Sequence, residues 1–161
     1  MNRTNRVLAG SVVMLLLLLC VSVYTQVVAQ RDKDGFLEGR NFKDGSVWVL
    51  TFVRTHSGQD LAYFNALSDL WRRQMDELKK EGVILSYKAL QTNAARVEDH
   101  NVMLMVEYKD IRTWETNSDR QAVIMQTIAR EKPASAQILQ DDKVREFFGN
   151  NMGREVIFRQ P

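Results

Sequence analysis

The sequence predicts an α+β domain with elements in the order β-α-β-β-α-β, and three observations carry that prediction. The run Val47-Trp48-Val49-Leu50-Thr51-Phe52-Val53 is apolar on both alternating faces, as a central strand must be. A helical period over 59–81 is followed by two apolar strands joined by a polar connection. A second helical region then leads to a final alternating stretch, REVIFR, at 154–159.

The chain has 161 residues, 45% of them hydrophobic and 26% charged, which is room and apolar content for one ordinary domain. Its start reads as an export signal over 1–29: Arg3 and Arg6, an uncharged and mostly apolar run over 7–23, then Val27-Val28-Ala29 before a cut at Gln30. The expected location is secreted or periplasmic. The alternative is a retained membrane anchor over 7–29, because roughly 20 apolar residues span a bilayer. Loss of 1–29 removes Arg3 and Arg6 and cancels the +2 net charge, so nothing electrostatic calls for nucleic acid. Cys20 is the only cysteine and falls inside the leader, leaving no disulfide, thiol nucleophile or thiolate metal site.

Residues 30–46 are rich in charge and glycine without sustained periodicity, and read as a flexible arm ahead of a domain over 47–161. The first strand, 47–55, ends in the turn His56-Ser57-Gly58, whose serine is placed to cap the next helix. In that helix Leu61, Phe64, Ser68, Trp71, Met75 and Leu78 form the spaced stripe, and Gly82 stops it. Strands over 83–91 and 101–109 form a hairpin. Asp110 is positioned to cap a helical region over 111–130, with Asn117-Ser118-Asp119 as a break near its start. After Lys132-Pro133 a further helix through Ile138, Leu139, Val144 and Phe147 is expected to stop at Gly149-Asn150-Asn151.

Two crossovers joined by a hairpin give the ferredoxin-like sheet: four antiparallel strands with helices on one face and the second helical region extended. The first and third strands are expected side by side at the centre and parallel to each other. Helices cover one face only, and the other carries either Trp48, Leu50, Phe52, Met103 and Met105 or the valine-rich set. So large an apolar surface calls for a second subunit, a homodimer closed through the sheet. From 47 to 159 the chain resembles the dimeric α/β-barrel superfamily, which includes antibiotic-biosynthesis monooxygenases, EthD-like proteins and haem-degrading monooxygenases. The resemblance rests on element order, length and the strands VWVLTFV and VMLMVEY. It implies a homodimer with a cavity for a small apolar ligand and oxygenase-like chemistry. The Asn, Trp and His set of the haem-degrading branch is not matched, since His56 and His100 both precede Trp114.

Strand parity and the expected parallel pairing bring Arg54, His56 and Glu107 to one end of the sheet, with Glu155 nearby. A histidine among carboxylates at a cavity mouth suits acid–base catalysis. The competing reading is a set of rim salt bridges and a loop histidine. Trp71, Tyr87 and Trp114, with Tyr63, are the candidate lining of a pocket for a flat apolar ligand, against an ordinary place in the core. No cofactor and no metal site is expected: His56 and His100 lack ligand spacing, and His100 is placed at the opposite end of its strand. The function expected is therefore small-ligand binding by an exported homodimer. The alternative is a non-catalytic protein-interaction or inhibitor-like module of the periplasm.

Overall fold

A computed structural model describes residues 31–93, 96 and 99–161. The leader expected over 1–29 lies outside them. Among the described residues no helix is long and apolar enough to cross a membrane. The elements are β1 (Phe42–Thr55), α1 (Asp60–Ala66), a π-turn (Leu67–Trp71), α2 (Arg72–Lys80), β2 (Ser86–Gln91), β3 (Val102–Tyr108), α3 (Ile111–Thr116), α4 (Ser118–Glu131), α5 (Pro133–Gln140) and β4 (Arg145–Phe158).

The strands form one sheet in the order β2-β3-β1-β4. This is the ferredoxin-like arrangement. β3 is antiparallel to β2 and also to β1, with Leu50 opposite Met105 and Phe52 opposite Met103. The expected parallel pairing of the first and third strands is thus corrected. The helical crossover makes β1 and β2 parallel, and the hairpin inserts β3 between them, running against both.

Parity along β1 and β3 separates the two faces. Val47 and Val53 on β1, with Val102, Leu104 and Tyr108 on β3, are buried beneath the helices. Val53, Val102 and Leu104 gather with Tyr63, Leu67 and Val144 in one cluster. Met75, Leu78, Val83, Ile84, Tyr108 and Ile124 form a second. The valine-rich face therefore meets the helices, and Trp48, Leu50, Phe52, Met103 and Met105 lie on the other.

α1, the π-turn and α2 are continuous, since the junction residues keep helical dihedrals. The buried side is Tyr63, Ala66, Leu67, Leu70, Gln74, Met75 and Leu78, whereas Leu61 is 73% exposed and Ser68 is exposed. Of the expected stripe, Met75 and Leu78 are buried and Phe64 and Trp71 pack half-buried against the core, whereas Leu61 and Ser68 face outward. A π-turn accommodates an extra residue per turn, which shifts the apolar register between the two halves. Ser57 does not cap this helix; its N-cap, Gln59, makes no side-chain bond, and Gly58 takes φ +78° in the turn. Asp60 instead accepts from Thr55 Oγ1.

Asp110 caps α3 by accepting from Thr113 N at 2.7 Å, and Asn117 separates α3 from α4. α5 ends at Gln140, so Val144 and Phe147 belong to no helix, and β4 begins at Arg145 rather than near Arg154. The Phe147-Phe148 pair prefers extended backbone, and Gly149, at φ +123°, is a feature within the strand rather than a helix stop. Phe147 and Asn150, an odd number of positions apart, line the same cleft. The switch of parity spans Gly149, whose φ of +123° departs from extended strand backbone.

The described chain divides into two compact units, Asp44–Val156 and the terminal residues 31–43 with Ile157–Pro161. In the terminal unit Arg31 bridges Leu37, and Asp32 accepts from the backbone of Phe36 at 2.8 Å and from Arg159 at 2.5 Å. The cations of Arg159 and Lys43 lie 4.6 and 4.9 Å from the centre of the Phe36 ring. What reads as a loose arm is here a hydrogen-bonded turn, and β1 begins at Phe42, ahead of the expected boundary at Val47.

Candidate functional site

Between the helices and the sheet is a cleft of about 440 Å³. That volume is within the usual range for small-molecule sites. Its floor is Thr51 and Val53 of β1 with Leu104 of β3, its far wall is Arg145, Phe147 and Asn150 of β4, and α4 and α5 supply Met125, Gln126, Ala129, Ala136, Leu139 and Gln140. The near wall is Tyr63, Leu67, Leu70, Trp71 and Gln74. Three of these five, Leu67, Leu70 and Trp71, come from the π-turn, so the irregular turn shapes the cleft. Outward, the cleft shares Gln126, Ala129, Ala136 and Gln140 with a shallower groove along α4 and α5.

The lining is mostly apolar, with a few polar groups fixed by the protein. Thr51 Oγ1 donates to Asn150 Oδ1 at 2.8 Å, and Gln74 Nε2 donates to Met125 O at 2.9 Å. Arg145 Nε donates to Leu139 O, and its guanidinium carbon is 5.8 Å from the Phe147 ring centre. The Tyr63 residue is 2% exposed, and burial pushes its hydroxyl up to about 12, with the Arg145 charge pulling the other way. One side of the cleft mouth is tied by Asp69 of the π-turn, which accepts from Lys132 at 2.8 Å and Ser135 at 2.7 Å. The Lys132 bond, first, and the Ser135 bond hold the Asp69 carboxyl below its ordinary value.

The predicted catalytic residues are dispersed. Glu107 lies opposite Trp48 and accepts from Ser86 Oγ at 2.5 Å, near one end of the central strands. Arg54 is at the other end, paired with Glu146 of β4 and 5.2 Å from the Phe148 ring centre. The antiparallel pairing of β1 with β3 is the reason for the separation. Glu155 bonds Ser46 and is likewise remote from Arg54. His56 Nε2 lies 2.9 Å from Asp142 O, anchoring the end of β1 to the loop before β4. His100 stacks edge-on against Phe52 at 4.7 Å; it lies, as expected, at the end of its strand away from Glu107, and the antiparallel pairing brings Arg54 to that same end. None of Arg54, His56 and Glu107 lines the cleft.

Of the predicted pocket residues, Trp71 lines the cleft and Tyr87 does not. Tyr87 meets Trp71 edge-on at 5.3 Å and donates to Asp76 at 2.6 Å, supporting the indole from the side. Trp114 lines a separate depression of about 460 Å³ with Gln121, Ala122 and Met125. Sequence reasoning singled out Tyr63 but missed Gln74, Arg145 and Asn150. Arg145 lies in the segment read as helix and Asn150 in its expected stop, where no strand parity was available to place them.

On the face away from the helices, Trp48, Leu50, Phe52, Met103 and Met105 form an apolar centre. Leu90 and Phe148 extend it and are 44% and 43% exposed. The rim carries both signs: the Arg54–Glu146 pair, Glu107, and Lys88, whose Nζ is 5.2 Å from the centre of the Trp48 ring. The five central side chains are half-buried, with Lys88 over the Trp48 ring and His100 against Phe52.

A ferredoxin-like α+β domain with a ligand-sized cleft is the class that fold and site define. No family model and no curated protein matches the chain. Among solved structures it is similar to a conserved protein of unknown function from Bacteroides thetaiotaomicron, described as a possible oxidoreductase, with 12% identity, TM-score 0.43, and coverage of 70% of this chain and 100% of that one. A Shewanella oneidensis protein gives 16% identity and TM-score 0.44 over 72% of this chain and 98% of that one. A dimeric ferredoxin-like protein from an uncultured marine organism gives 12% and 0.42 over 73% and 91%.

Proposed function

We propose that this protein is an exported homodimer that binds a small, largely apolar molecule in a cleft of each subunit. The observation that carries the reading is the cleft itself, about 440 Å³ walled by Trp71, Leu67, Leu104 and Phe147 with a few fixed polar groups. Binding is favoured over acid–base catalysis because Arg54, His56 and Glu107 lie outside it. Oxygenase-like chemistry, if the cleft supports any, would have to rely on its aromatic and amide side chains.

Dimerisation through the sheet is supported by the half-buried apolar centre around Leu50 and Met105 and the exposed Leu90 and Phe148 beside it. Burying such a surface is favourable by about 25 cal/mol per Å² of apolar area. A rim with both signs of charge suits a two-fold interface, in which each patch meets a copy of itself. The second subunit is therefore the occupant best suited to that face. The leader over 1–29 supports export, and mass spectrometry of the exported chain should find a new start at Gln30.

The test is a thermal-shift screen with aromatic compounds, run beside light scattering. The expected result is a dimer whose melting temperature rises with at least one apolar ligand, and the rise should vanish when Ala136→Trp fills the cleft mouth. A protein that no compound shifts would remove the binding reading. A monomer that associates only with a foreign protein would favour the interaction module.

A further inference from the structure

We propose that the cleft selects organic anions, molecules with an apolar, ring-bearing body and one carboxylate, which bind their carboxylate through the Arg145 guanidinium and the Tyr63 hydroxyl. The proposal deepens the reading of the cleft as a small-molecule site and rests on it.

Two unfilled hydrogen-bonding groups carry it. Arg145 lines the cleft partly buried, and its Nε is spent on Leu139 O. No described carboxylate comes within ion-pair distance of its outer nitrogens. A guanidinium taken partly out of water is normally paired. Here the backbone carbonyl and the Phe147 ring orient it while its two terminal NH₂ groups stay available. Tyr63 is the second group. Its ring is packed in the first core cluster, and its hydroxyl makes no hydrogen bond to a described residue while not being wholly buried, so it stays able to donate to a ligand. Both side chains line the same cleft, and the Arg145 charge reaches the Tyr63 hydroxyl electrostatically.

The shape of the site argues for a carboxylate. A planar guanidinium edge matches two carboxylate oxygens, and a protonated phenol adds one donor. The rest of the cleft offers mostly apolar surface to the body of the ligand, Trp71, Leu67 and Leu104 among it, and its amides Gln74 and Asn150 are already engaged by Met125 O and Thr51.

The test compares 2-naphthoate with its neutral isostere 2-naphthamide by calorimetry on the intact chain. The acid is expected to bind at least about tenfold tighter, since a charge-assisted bond exceeds a neutral one by that order. Arg145→Gln should erase the preference, Arg145→Lys should keep part of it, and Tyr63→Phe should weaken the acid about three- to tenfold without lowering the melting temperature. Equal binding of acid and amide by the unsubstituted protein would overturn the proposal and leave the apolar cleft standing. Failure of both to bind would overturn the cleft reading with it.

Discussion

Asn101 holds three groups at the end of β1. Its Oδ1 accepts from Thr55 N at 2.9 Å, and its Nδ2 donates to Thr55 Oγ1 at 2.7 Å and to Asp60 at 3.4 Å. Thr55 is buried, so Asn101→Ala leaves its backbone donor without a partner and should cost about 1–3 kcal/mol. Denaturant titration reads that loss directly. Gly149→Ala should cost about 1–3 kcal/mol by the same measurement, because φ +123° strains any residue with a Cβ. Tyr63 and Tyr108 set the alkaline limit. Burial raises both hydroxyls to about 12, above the ordinary 10.0, so the unfolded chain loses these protons first. Their contribution is whole below pH 10 and falls as the pH rises toward 12. Thermal melts at stepped alkaline pH should show the decline beginning near 10, and less steeply in Tyr108→Phe.

At the scale of elements, carboxylates tie helices together and set the acid limit. Arg120 of α4 holds the Glu81 carboxyl at the end of α2 below its ordinary 4.5, and the backbone of Thr113 does the same for Asp110 against 3.8. Asp69 joins the π-turn to α5 in the same way. A depressed folded pKa stabilises fully above the unfolded value and is lost as the pH falls through the folded one. Melting temperatures should therefore hold from pH 7 to about 5 and fall below about 4, and Glu81→Gln should flatten part of that fall.

Most elements were legible because apolar period and capping agree in them: β1 from its double-sided run, α3 from Asp110, the end of α2 from Gly82. Two misreadings share a cause. The π-turn and the irregular backbone at Gly149 each interrupt a regular period, which let the first blur the buried stripe and the second pass for a helix stop. The candidate site was legible only at Trp71 and Tyr63. Arg145 and Asn150 depend on β4, and the Arg54, His56 and Glu107 cluster depended on a parallel pairing that the hairpin forbids.

For the whole molecule the two faces of the sheet make separate predictions. Leu50→Glu puts a charge at the centre of the uncovered face, with no change to the helix side. If the proposed homodimer forms through this face, the substitution should convert it to a monomer in analytical ultracentrifugation while the melting temperature measured at low concentration changes little. Exposed ion pairs are worth about 0–1 kcal/mol, so loss of the Arg54–Glu146 pair alone should leave the dimer intact. Glu146→Arg, which sets like charges side by side on the rim, should weaken it.

Because neighbouring residues of β1 point in opposite directions, the strand keeps two ledgers that scarcely mix. Under the proposed function, a designer wanting a new ligand would vary Thr51 and Val53 on the cleft side, whereas changing Leu50 or Phe52 would act on the opposite face, where the second subunit is proposed. Random mutagenesis of this stretch should therefore sort by odd and even position into two phenotypes.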